Sequence, residues 1–134
     1  MPGQAEEQLI RDGFAAWNTG GWERWVEENV DPDVLLVDPP ELPDADRHRG
    51  REAYTNRFRE WTEPLGHFQV EVTEFVHTPD ATMAAIEVTG EAPASGVPME
   101  YAVFNVFRYR DGRIREYLLF LEREAALAAL DTTG

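Results

Sequence analysis

Asp38 is the side chain in this sequence best placed for acid–base work. It closes the apolar run Val34-Leu35-Leu36-Val37 and is followed by Pro39-Pro40. A carboxylate at the end of a buried strand loses solvation, binds its proton more tightly, and becomes a stronger base toward a carbon acid. The plainer role of an Asp-Pro pair is to end the strand, with the carboxylate capping amides of the following loop. Alternation in a long strand puts Met99, Tyr101, Val103, Asn105 and Phe107 on one face. Tyr101 is the one phenol of that face. It is positioned to donate to a carbonyl or epoxide oxygen, or else packs at the rim with its hydroxyl in water. Glu87, sharing a strand face with Met83, and Glu116 are candidates for a second carboxylate beside Asp38. The alternative for both is a solvated face.

What the sequence lacks removes whole classes of chemistry. There is no Cys, hence no thiolate nucleophile, disulfide or Cys-ligated metal. All 12 basic residues are Arg, and without Lys there is no Schiff base. The single serine, Ser95, lies outside any Gly-x-Ser-x-Gly context, and no phosphate-cradling glycine motif occurs. No cofactor and no metal are expected. A net charge of −14 repels phosphate backbones and anionic lipid, so neither nucleic acid nor membrane is an expected partner. No basic-then-apolar leader and no apolar run of membrane-spanning length is present, and a cytoplasmic location is expected. Arg47, His48, Arg49 and Arg51 form the one basic cluster, read either as an attractor of a carboxylate ligand or as a balance to Asp44 and Asp46.

These groups need elements to hold them. At 134 residues with 43% hydrophobic content, the chain makes one domain, 1–134, with a core of its own. Helical spacing predicts a helix over Gln4–Thr19, stopped by Gly20-Gly21, and a shorter one over Trp22–Asn29. Val34–Asp38 reads as a buried strand, residues 39–49 as a Pro-rich loop, and Gly50–Thr62 as a third helix. The period then changes to two: strands follow over Phe68–His77, Ala81–Thr89, Met99–Arg110 and Arg113–Leu121. Asp111-Gly112 joins the last pair as a hairpin, and Glu122–Leu130 closes as an Ala-rich helix. Helices followed by a strand meander make an α+β domain: a curved antiparallel sheet wrapped around three helices, with a concave space for a small ligand between them. Phe14, Trp17, Phe58 and Trp61 recur at helical spacing and are expected on the helix side of that space; Met83, Glu87, Val103 and Phe107 are expected on the sheet side. The last strand leaves its facing open, with Ile114, Leu118 and Phe120 one way and Tyr117, Leu119 and Leu121 the other.

Five stretches in order carry a resemblance. They are Phe14–Trp22, Asp31-Pro32-Asp33-Val34, Val37-Asp38-Pro39, Gly50-Arg51-Glu52-Ala53 and Val106–Ile114. Together they resemble the SnoaL-like group of the nuclear-transport-factor-two-like superfamily, which implies a cone-shaped α+β barrel. That scaffold hosts ketosteroid isomerases, polyketide cyclases, epoxide hydrolases, dehydratases and binding modules, so fold does not give activity. The resemblance implies Asp38 as general base, at the strand-end position of the isomerase aspartate. It also puts Phe14 and Phe58 where the isomerases carry tyrosines, and Asn105 where they carry the protonated aspartic acid of the oxyanion hole. Losing one such donor costs roughly 3–4 kcal/mol, so steroid isomerisation is not expected. An Asn105 amide N–H can still stabilise an oxyanion, or can simply bond to a neighbour.

The reading that results is a protein binding a small, largely apolar, carbonyl- or hydroxyl-bearing molecule. Its chemistry would be proton transfer of isomerase, cyclase or dehydratase type, with Asp38, Asn105 and Tyr101 as the reacting set. The alternatives are a non-catalytic binding or dimerisation module, and an epoxide-opening enzyme using a carboxylate pair. A homodimer through the sheet is implied by the resemblance.

Overall fold

Helical periodicity in the first third is realised as α1 (Gln4–Thr19) and α2 (Trp22–Asn29), separated by the Gly20-Gly21 stop. A computed structural model describes residues 3–92 and 95–130. The chain continues as β1 (Val30–Val37), β2 (Arg47–Arg49), α3 (Arg51–Thr62), β3 (Gly66–His77), β4 (Ala81–Glu91), β5 (Pro98–Arg110), β6 (Arg113–Phe120) and α4 (Arg123–Leu130). The Gly/Pro loop expected between β4 and β5 is present, but its residues 93 and 94 lie outside the described residues.

The six strands form one curved sheet in the order β2-β1-β6-β5-β4-β3. Every neighbouring pair is antiparallel except β1 and β6, which run parallel, so the sheet is mixed rather than purely antiparallel. Two further differences from the sequence reading concern the first strand. β1 starts at Val30 and carries Pro32 inside it, at a register break between the Val30–Ile114 and Leu35–Glu116 pairs, where no ladder amide is demanded of the proline. Arg47–Arg49, expected as loop, pairs with Leu35–Val37 as β2. A three-residue edge strand of charged residues has no apolar alternation to announce it.

Helices α1–α3 pack on one face of the sheet over a core of Ile10, Val26, Val34, Leu36, Tyr54, Phe58, Phe107 and Tyr117, among others. Phe58 is its hub, with ring centroids 4.7 Å from Trp17, 4.8 Å from Tyr54, 5.2 Å from Trp61 and 5.4 Å from Tyr117. On the opposite face α4 packs Ala126 and Leu130 onto Ala81, Met83, Ala85 and Val106. β4 is therefore buried on both sides for most of its length, and its residues do not alternate in burial.

Two turns set the geometry. Asp111 and Gly112 both take positive φ, 53° and 78°, the twist-matched form of a two-residue hairpin. Gly50, between β2 and α3, sits at φ 97° and ψ 157°, a region closed to other residues. Its N–H donates to the Val34 carbonyl at 2.8 Å while its carbonyl accepts from Tyr54 N–H at 3.0 Å, so the turn ties α3 to β1. Gly50→Ala is expected to cost about 1–3 kcal/mol through backbone strain. Urea denaturation checks this as a lower midpoint at unchanged slope.

Candidate functional site

A cavity of about 440 Å³ lies between the helices and the inner face of the sheet. Trp17 of α1 and Phe58 and Trp61 of α3 form one wall; Val70, Ile86, Val88, Val103 and Leu119 form the sheet side. Pro39 and Leu42, from the loop after β1, close part of the lip. Most of this lining is hydrocarbon or aromatic, as ligand pockets require, and the polar groups are few. They include Asn105, Tyr101 and Tyr117. Burial raises the pKa of Tyr101, and burial, with Tyr54 adding to it, raises that of Tyr117 well above the ordinary phenol value; both stay neutral donors.

Asn105 is fully buried. Its Nδ2 donates to the Ala84 carbonyl of β4 at 3.0 Å, whereas its Oδ1 meets no hydrogen-bond donor among the described residues. One N–H of the amide is thus engaged by the sheet, and the carbonyl oxygen is left without a donor. Tyr101 lies four residues up the same strand face, roughly 13 Å away at about 3.3 Å per residue, and is 39% exposed at the mouth.

Asp38 is not among the residues lining the cavity. Its carboxylate is fully enclosed by donors: Arg57 Nε donates to Oδ1 at 3.2 Å, and the Asp46 N–H donates to Oδ2 at 3.0 Å. His48 Nε2 lies 2.9 Å from Oδ2, and Arg57 Nη2 makes an ion pair with the same oxygen at 3.0 Å, off the hydrogen-bonding direction. The Asp38 N–H in turn donates to the Asp46 carbonyl at 3.1 Å. Asp38 therefore clamps both ends of the 39–45 excursion, the strand-terminating, amide-capping role. An exposed base ready to take a carbon-bound proton is not what the geometry presents.

Arg57 joins this cluster to the cavity. Its Nη1 donates to Asp44 and Glu60, each at 3.1 Å, and its guanidinium lies 4.8 Å from the ring centre of Trp61, a wall residue. Burial works against the charge on Arg57, but hydrogen bonds to Asp44 and Asp38 outweigh it and raise its pKa further. The same contact with Arg57 lowers that of Asp44. Two other basic residues of the segment bond locally: Arg49 donates to the Asp33 carbonyl at 3.2 Å and Arg51 to that of Val30 at 2.8 Å.

Of the residues expected at the site, Trp17, Phe58, Trp61, Tyr101, Val103 and Asn105 meet around the cavity. Phe14 and Phe107 do not reach it; they pack with Ile10, Trp25 and Tyr54 behind Trp17 and Tyr117. Met83 and Glu87 face the other side of the sheet, Met83 beneath α4. Alternation in β4 runs through Ala84, Ile86 and Val88 instead, and its two-sided burial hid which set faces inward. β6 is resolved by a bulge: Arg108 pairs with Glu116 and Tyr109 with Ile114, so Arg115 is an extra residue. That one-residue slip turns Tyr117 and Leu119, as well as Ile114, toward the helices, and sends Glu116 outward to within 3.6 Å of Arg108. Neither Glu87 nor Glu116 thus sits with Asp38 as a carboxylate pair. The sequence reading also missed the loop residues Pro39 and Leu42 and the β3 wall residues Phe68 and Val70. The apolar parity of Phe68 and Val70 was a usable signal; the loop offered none.

The chain matches the SnoaL-like domain family over residues 10–117 and belongs to it. Several solved structures share the fold. A proposed SnoaL-like polyketide cyclase from Jannaschia sp. CCS1 superposes with a TM-score of 0.78 at 17% identity, covering 97% of this chain and 94% of that one. IdmH, a proposed polyketide cyclase from Streptomyces antibioticus, gives 0.73 at 24% identity, over 96% and 99%. TerC, co-crystallised with polyporic acid, gives 0.75 at 14% identity, over 96% and 100%. No protein of curated function matches this sequence. No helix among the described residues is long and apolar enough to cross a membrane.

Two outcomes follow. Arg57→Met leaves a buried carboxylate without its main counter-charge and is expected to cost about 3–5 kcal/mol in a denaturant titration. On the outer sheet face, the hydrogen bond that protonated Glu87 donates to Glu100, the charge of Glu100, burial and the charge of Glu71 raise the pKa of Glu87 above its unfolded value. A raised carboxylate pKa means stability present below the unfolded value is lost as pH rises. Glu87→Gln is therefore expected to raise Tm at pH 7, with the gain fading toward pH 4, as read by circular dichroism.

Proposed function

We propose that this protein binds a small, largely apolar, oxygen-bearing ring compound in the cavity between α1, α3 and the sheet. The observation that carries the reading is an apolar hollow of about 440 Å³, faced by three aromatic rings of the helices, with few polar groups on its wall. Burial of such a ligand against Trp17, Phe58 and Trp61 supplies the affinity at about 25 cal/mol per Å² of apolar area removed from water, less the cost of association. The polar groups choose its orientation. Polyporic acid in TerC and the cyclase descriptions of the Jannaschia protein and IdmH support a ligand of that general kind. In this reading Asp38 holds the lip of the cavity through Asp46, His48 and Arg57 and does not itself take a proton.

The test is titration of intrinsic tryptophan fluorescence with 2-methoxynaphthalene and 2-naphthoate. Trp17 and Trp61 line the cavity, so a bound ring quenches or shifts their emission. The neutral ether is expected to saturate the signal, and the carboxylate to bind at least about tenfold more weakly, because its charge would be desolvated without a cation on the wall. Val103→Trp, which fills the hollow, is expected to abolish the response while retaining the far-ultraviolet dichroism. Absence of saturable binding, or binding indifferent to the filled cavity, overturns the proposal. Asp38→Asn is expected to lower Tm and shift the dissociation constant only a few-fold.

A further inference from the structure

We infer that the cavity selects a ligand carrying a neutral hydroxyl, a phenol or an enol, which donates its proton to Asn105 Oδ1, and that it discriminates against the corresponding ether or ketone. The inference rests on the cavity reading above and gives it a chemical class. Its basis is the polarity of one amide. Asn105 is fully buried, its Nδ2 donates to Ala84 O at 3.0 Å, and its Oδ1 finds no donor among the described residues. Rotating the amide by half a turn would set Oδ1 against the Ala84 carbonyl, acceptor against acceptor. The sheet therefore fixes the amide with nitrogen toward β4 and leaves the oxygen as the unpaired end.

An amide oxygen accepts and never donates. A ligand hydroxyl placed against it satisfies a buried acceptor. A ligand carbonyl or ether oxygen at the same point brings lone pairs against lone pairs and leaves both unsatisfied. Sites built around a buried polar group reject analogues that lack the matching partner far more strongly than hydrophobic walls reject a changed shape. This adds a role to the one expected for Asn105 from the sequence: with one N–H held by Ala84, the oxygen of the side chain receives a hydrogen bond. The neighbouring groups fit. Leu119 is the residue paired with Asn105 across the β5–β6 ladder, and Tyr117, a neutral phenol two residues before it, offers a donor to a second oxygen of the same ligand. Tyr101 offers another at the mouth. A hydroxyl at the inner end and an acceptor oxygen elsewhere on the ring system complete the match.

The experiment compares 2-naphthol with 2-methoxynaphthalene, in which a methyl group replaces the hydroxyl proton, by tryptophan fluorescence on the unmodified protein and on Asn105→Leu, the variant separating the lost donor from the added methyl. The unmodified protein is expected to bind the naphthol about tenfold more tightly than the ether, and Asn105→Leu to lose that ratio while still binding both. A measurement independent of the variant is the Asn105 Cγ resonance of isotope-labelled protein. It is expected to move downfield with the naphthol and to stay in place with the ether. Equal affinities in the unmodified protein, a ratio that survives in Asn105→Leu, or a Cγ shift common to both ligands overturns this inference and leaves the cavity reading standing. Failure of both ligands to bind overturns the two together.

Discussion

A single buried guanidinium holds the candidate site in shape. Arg57 is almost wholly shielded from water, yet it carries the contacts that fix three separate pieces: Asp38 at the end of β1, Asp44 in the following loop, and the ring of Trp61 one turn along α3. Without that cation, Asp38 would be a desolvated charge with His48 and one amide for company. The loop that brings Pro39 and Leu42 to the lip would lose its inner anchor. The hollow is apolar, but the loop at its lip is tied down by ionic contacts through Arg57.

Most of the architecture could be read from periodicity. The helices carry apolar stripes of the right spacing, and glycine and proline fall where elements end. What could not be read has physical causes. β2 is too short and too charged to leave a pattern. β4 is covered on both faces, so alternation carries no information about which face looks inward, and Met83 and Glu87 lie on the opposite side from the one the sequence suggests. The facing of β6 depends on one extra residue, Arg115, which slides the parity of everything after it. No propensity scale contains that slip; it follows from how β5 and β6 accommodate each other.

Asp38 is the instructive case among the site residues. Its position after an apolar run did mean burial, as argued from the sequence. Burial, however, selects for partners as strongly as it raises proton affinity, and three donors converge on this carboxylate. Whether a desolvated acid becomes a reagent or a rivet is decided by what surrounds it, and those surroundings come from residues eight to nineteen positions away. Asn105 shows the converse. Nothing about a mid-strand asparagine distinguishes its two ends, and the direction of its amide emerged from the ladder partner alone.

The order of strands also bears on how this chain behaves at high concentration. The sheet is open, and its two borders are β2 and β3. β2 offers three residues, Arg-His-Arg, a stretch too brief and too cationic for another molecule's backbone to zip onto. β3 is twelve residues long, but it is kinked by an irregular register between Val72 and Glu74 and flanked there by acidic side chains. Both rims are thus poor templates for backbone pairing with another copy, even though the sheet is not closed into a full cylinder.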